Sequence, residues 1–121
     1  MILYIFGTSN YSQVVKHYVE YDKSYSDIIF VVDREFLDES RLFNSRGLIA
    51  ADELPVSSVI NLFLAAGYKN MRFRKTLFQR YDLTNTEMPN IICSGAYVDK
   101  SAKLGKNNII MPGAVIEPFV S

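Results

Sequence analysis

Three short polar stretches carry the residue types that could do chemistry in this sequence. The first is Gly7-Thr8-Ser9-Asn10-Tyr11, which follows an apolar run and opens a helical pattern. At such a turn backbone N–H groups and a helix dipole converge, and both favour phosphate oxygens. An ordinary strand-to-helix turn, with Asn10 as the helix cap, is the competing account. The second is Asp33, at the end of the run DIIFVVD. A carboxylate there can accept two ribose hydroxyls, or it can stand as a solvated loop acid. The third is GYKN followed by MRFRK, which gathers Gly67, Lys69, Asn70, Arg72, Arg74 and Lys75 around one helix N-terminus. Cations there oppose the helix dipole, and a bound diphosphate would offset that repulsion. The alternative is a set of long side chains lying along the surface with their charges in water.

His17 and Cys93 are the sole residues of their types. His17 is out of phase with the apolar stripe of its helix, which predicts a solvated side chain rather than a catalytic one. Cys93 lies beside Ile92, where a buried, inert thiol is the better account. Nothing in the sequence points to a positive group beside it that would favour thiolate chemistry. One histidine and one cysteine cannot assemble a zinc site of the usual kinds within one chain, so no metal is expected.

The elements that position these residues alternate. Ile2–Phe6 reads as a strand buried on both faces, as in parallel sheets. Residues 11–21 place Val14, Val15, Tyr18 and Val19 on one helical face, with Gln13, Lys16, His17 and Glu20 opposite. Asp27–Asp33 is a second buried strand, which completes a βαβ unit. A polar connection follows, with a helical turn allowed within it, and Leu48-Ile49-Ala50 reads as a short edge strand. Ser58–Gly67 reads as a further strand. Met71–Tyr81 reads as an amphipathic helix with Phe73, Leu77, Phe78 and Tyr81 at helical spacing. The fold class expected is therefore α/β: a small Rossmann-like parallel sheet with flanking helices over residues 1–90.

The 121 residues are 49% apolar, with 13 basic and 13 acidic side chains. Balanced and dispersed charge argues against nucleic acid as a partner. A lone cysteine suits a reducing cytoplasm. The N-terminus has no basic n-region, and no stretch approaches the ~20 apolar residues that span a bilayer, so neither a signal peptide nor membrane insertion is expected.

From residue 91 the rhythm changes to a period of six. Ile92, Val98, Leu104, Ile110 and Ile116 recur in one register, and Ala96, Ala102, Asn108, Ala114 and Val120 in another. No α-helix has that period, and the prolines of MPG and EPF would break one. A hexapeptide repeat predicts a β-helix whose aliphatic positions point into the tube. Residues 91–121 are thus expected to be its first coils, truncated. Fewer than two coils provide few stacked contacts. The tail is therefore expected to leave the coil geometry and pack on its own sheet domain or a neighbouring copy, rather than meet other tails in a trimer-like cluster.

Together YIFGTSNYSQVV, FVVD, FLAAGYKNM, FRKTLF and PNIICSGAYVDKSAKLGKNNIIMPGAVIEPFV resemble the PglD/NeuD-type sugar acyltransferases of bacterial surface-polysaccharide synthesis. The resemblance runs along nearly the whole chain and is most specific at the junction and first coils. It implies that the first domain holds a nucleotide-activated sugar. It also implies a left-handed β-helix that trimerises and binds acetyl-CoA between subunits, with a histidine of that β-helix as general base. That histidine lies further along the β-helix than residue 121. This chain is therefore expected to recognise the sugar without a cofactor of its own and without turnover; a homo-oligomer is open to it, and a trimer is implied for the full-length parent. The relatives carry a second glycine and a histidine where Asn10 and Tyr11 stand here. Asparagine tolerates left-handed backbone, so the turn can survive, but the close approach of a pyrophosphate loses its glycine. The substrate-binding set implied is Gly7, Thr8, Ser9, Asn10, Asp33, Gly67, Lys69, Asn70 and Arg74, with no catalytic residue. The rival readings are a non-catalytic nucleotide-binding or sensor module, a nicotinamide-dependent enzyme, and a trimerisation piece. G-T-S-N-Y lacks the G-x-G-x-x-G of dinucleotide binders, and too little β-helix is present for the last.

Overall fold

Ile2–Phe6 forms β1, the middle strand of a five-stranded parallel sheet. Its alternate side chains serve two cores, as a strand covered on both faces must. Leu3 and Ile5 pack with Val15 and Val19 of helix α1 (Asn10–Asp22), while Tyr4 and Phe6 pack with Leu77 and Tyr81 of helix α2 (Met71–Asp82). The other strands are β2 (Asp27–Val32), β3 (Leu48–Ala50), β4 (Ile60–Leu64) and β5 (Thr86–Glu87), in the order β3-β2-β1-β4-β5. The computed structural model describes residues 1–22, 25–37, 47–55, 58–65, 71–82 and 85–118.

The strand order explains the two layers. The chain moves outward from β1 through β2 to β3, then returns to β4 on the other side. Right-handed crossovers in opposite directions put their helices on opposite faces, as α1 and α2 are. The sequence reading is refined in three places. Within α1 the buried stripe is Val15 and Val19 with Tyr11 and Tyr18 against it, whereas Val14 is exposed. A 3₁₀ turn, Arg34–Phe36, follows β2. The two-residue strand β5 was not expected, because Thr86-Glu87 has no hydrophobic alternation of its own and pairs only because Ile60 and Asn61 offer it an edge.

Beyond residue 90 the chain makes four two-residue strands: β6 (Ile91–Ile92), β7 (Tyr97–Val98), β8 (Ile109–Ile110) and β9 (Val115–Ile116). Ile91 pairs with Ile109 and Tyr97 with Val115, both parallel. Each partner lies 18 residues on, three times the period of six. The expectation that the tail abandons this geometry fails. The strands stay paired, and one face of the coil also docks on the sheet. Ile91 and Cys93 are buried with Ile109 and Met111 in the α1-side core, and Ile92, pointing the other way, is 47% exposed. On β7 and β9 the relation reverses. Tyr97 and Val115 are exposed, and the period-six residues Val98 and Ile116 are half-buried. Docking on the sheet therefore overrides the six-residue pattern on one face only.

Candidate functional site

The parallel register brings three chemically interesting strand ends to one edge. Phe6 lies beside both Val31 and Leu64. The Gly7 N–H donates to the Val31 carbonyl at 2.8 Å, and the Ala65 N–H donates to the Phe6 carbonyl at 2.9 Å. Gly7, Asp33 and the exit of β4 thus share the carboxyl edge of the sheet. Strand order reverses on either side of β1 there, and open α/β sheets take their ligands in the crevice so formed.

Gly7 has φ +120°, a conformation closed to side chains with a Cβ, and it turns the chain sharply from β1 into α1. Ser9, not Asn10, is the capping position, because its carbonyl accepts the Gln13 N–H at 3.3 Å and α1 starts at Asn10. Asn10 is exposed on the first turn. Below it the hydroxyls of Ser9 and Ser12 are shielded from solvent and have no hydrogen-bond partner among the described residues. Buried hydroxyls are almost always satisfied, so two idle ones under one helix start mark this turn as unusual.

Arg74 stands close enough to Tyr11 for its charge to act on the phenol. Burial pushes the Tyr11 hydroxyl above its ordinary pKa, and the Arg74 charge draws it part of the way back. Tyr11 on the first turn of α1 and Arg74 on the first turn of α2 are therefore within electrostatic reach of each other. Asp33 is not free to await a ligand. Its Oδ1 accepts from Arg80 Nη1 at 2.9 Å, and its side chain is 23% exposed. Arg80 also lies 5.8 Å from the ring of Tyr81, whose phenol is raised chiefly by burial and drawn down by the guanidinium. For Arg80 burial works against the charge, but the bonds to Asp33 and Tyr81 prevail and raise it. A second brace joins the exits of β2 and β3. Arg34 grips Asp52 with two nitrogens at 2.7 and 2.8 Å and reaches Glu53 at 2.9 Å. Its hydrogen bond to Asp52 is the main reason that carboxyl sits below the usual range.

Of the expected residues, Gly7, Thr8, Ser9, Asn10 and Asp33 follow the strand ends at one edge of the sheet, and Arg74 lies within electrostatic reach of Tyr11. Gly67, Lys69 and Asn70 lie outside the described residues. Arg72 and Lys75 are exposed on α2, and Cys93 is buried. His17 is exposed, edge-on to Tyr18 at 5.4 Å, and faces the coil corner at Ser94, Gly95 and Pro112 rather than the crevice. Arg80 was missed because it lies 47 residues from Asp33 and looks like any surface cation on its helix. Among the described residues no cluster of three or more His, Cys, Asp or Glu could hold a metal, and no helix is long and apolar enough to cross a membrane.

Neither a family model nor a curated protein matches the sequence. Solved structures do match in shape, among them the acetyltransferase domain of PglB from Neisseria gonorrhoeae FA1090 and the same domain in complex with acetyl coenzyme A. Each aligns with a TM-score of 0.73 and 22% identity over 94% of this chain. The likeness is one of fold. The chain spans about half the length of those domains, 55% and 54%.

Proposed function

We propose that this chain is the nucleotide-sugar recognition domain, with the first coils, of an acetyl-CoA-dependent sugar N- or O-acetyltransferase of the PglD/NeuD type. The observation that carries the reading is what the carboxyl edge of the sheet gathers at β1. That edge has a positive-φ glycine turn into a helix, two idle buried hydroxyls beneath that helix start, and an acid at the end of β2. A nucleoside diphosphate matches those parts, with phosphate oxygens at the N-terminus of α1 and ribose hydroxyls toward Asp33. Arg80 then acts as a counter-ion that holds the Asp33 carboxylate in place while the ribose shares it. The fold likeness to an acetyltransferase domain, and the 18-residue coil that follows the sheet directly, support the rest of the reading. The coil is the start of a left-handed β-helix, and acetyl-CoA is the acyl donor of the whole enzyme.

The chain itself binds without transferring. General-base catalysis needs a group within hydrogen-bond reach of the attacking amine or hydroxyl, and the sole histidine stands on α1 facing the coil corner. The test is calorimetry with a panel of nucleoside-diphosphate sugars on the wild type and Asp33→Ala. Loss of the hydrogen bonds to the carboxylate should weaken binding by roughly 1–3 kcal/mol. A wild type that binds none of the panel overturns the proposal.

A further inference from the structure

On the far flank of β4 a second cleft opens, of about 420 Å³, between α2 and the loop that precedes β8. Its position relative to the crevice follows from the ladder. Ala65 bonds to Phe6 of β1, so Leu64, one residue earlier, directs its N–H and carbonyl the other way, toward β5. Strand β5 ends at Glu87, too soon to meet them. Asn107 takes its place: its Oδ1 accepts from the Leu64 N–H at 2.7 Å and its Nδ2 donates to the Leu64 carbonyl at 3.0 Å. Its own N–H donates to Met88 at 3.2 Å, and it adopts φ +61°, which asparagine tolerates better than most residues.

That clamp fixes what lies on either side of it. Asn90 braces the same loop, accepting from the backbone and side chain of Asn108 and donating to the Gly105 carbonyl at 2.7 Å. Lys106 and Asn108 are therefore presented to the cleft from a held loop, opposite Arg74, Lys75 and Phe78 of α2. Three cations from two elements line one concavity. Arg74 and Lys75 carry no ion pair among the described residues, and Lys106 has one partner, Asp82, at 2.9 Å. An ammonium has three donors, so Lys106 can keep Asp82 and still serve a ligand.

We infer that this cleft is a binding site for a small phosphorylated anion, held by Arg74, Lys75 and Lys106 against the side of Phe78. It lies across β4 from the Gly7 turn and shares Arg74 with that side, so the test is confined to Lys75 and Lys106, which the function proposed for that turn does not use. A ligand here touches both the sheet domain and the coil, so its binding also stiffens the joint between them.

Inorganic pyrophosphate is the probe, titrated into isotope-labelled protein at constant ionic strength. The expected result is saturable shifts of the Lys75, Lys106 and Asn108 amides. Lys75→Gln with Lys106→Gln should weaken binding by about tenfold or more, the scale of losing charge-assisted hydrogen bonds. Asp82→Asn, which frees Lys106, should tighten it by a few-fold. Shifts confined to Gly7–Asn10, no saturable shift, or affinity unchanged in the double variant would each overturn the inference. A nucleoside diphosphate run in parallel separates the two sites. If it moves the Gly7 turn while pyrophosphate moves the cleft, both stand; if it moves neither, only the proposed function fails.

Discussion

Asn107→Ala isolates the joint between sheet and coil, and its cost can be worked from the structure. The carboxamide satisfies two buried backbone groups, the Leu64 N–H and carbonyl, and Leu64 is 2% exposed. Each group left without a partner costs about 1–3 kcal/mol. Alanine must also hold the left-handed angles that asparagine accepts, which adds about 1 kcal/mol. Water entering at the sheet edge recovers part of this, so the expected loss is about 3–5 kcal/mol, a large fraction of the roughly 5–15 kcal/mol typical of a domain. Two further variants divide the effect. Asn107→Gly removes the amide but relieves the backbone, so it should be less damaging than alanine. Asn107→Asp can still accept from the Leu64 N–H, but its second oxygen would face the Leu64 carbonyl without a proton to donate, so it should be at least as damaging as alanine at neutral pH. The assay is urea unfolding followed by circular dichroism, with amide hydrogen exchange read at Leu64. If Asn107→Ala unfolds within about 0.5 kcal/mol of the wild type, the range of an ordinary surface change, the clamp argument is refuted.

Three other outcomes follow from the same geometry. Gly7→Ala places a Cβ at φ +120° and should destabilise by more than about 1 kcal/mol, read as a lower urea midpoint; an unchanged midpoint would show that the turn is not as tight as described. Tyr81 is raised above its ordinary pKa chiefly by burial, so the stability of its neutral form is complete below the unfolded value of about 10 and is lost as pH rises through the folded value. Tyr81→Phe should therefore flatten the alkaline limb of the stability profile, and an identical limb in both proteins would contradict this. Cys93 is 3% exposed and should react with a thiol reagent only as the protein opens, so rapid labelling of the native state would count against its docked position.

Much of the architecture is legible in the residues, because a parallel strand buried on two faces writes a continuous apolar run. Ile2–Phe6, Asp27–Val32 and Leu48–Ala50 announce themselves in this way. The strand of Ser58–Gly67 is shorter than its apolar run, since β4 ends at Leu64 and only Ala65 is described beyond it. What the residues do not disclose are contacts made by distance in sequence. Asp33 reads as a vacant acceptor until α2 brings Arg80 within 2.9 Å. Asn107 sits one residue before a small-residue position of the repeat, and nothing local says that its amide replaces a missing strand. The period of six does specify the 18-residue spacing of the paired coil strands. It does not tell that Ile91 and Cys93, outside that register, are the residues the sheet buries.

The measurement that bears most directly on the recognition of a nucleotide-activated sugar is a crystal structure of this chain with a nucleoside-diphosphate sugar. The account predicts the diphosphate at the N-terminus of α1, within hydrogen-bond distance of the Gly7–Asn10 turn, and the ribose on Asp33 with Arg80 still paired to it. A ligand bound elsewhere, or a Gly7 turn left empty at saturating concentration, contradicts it.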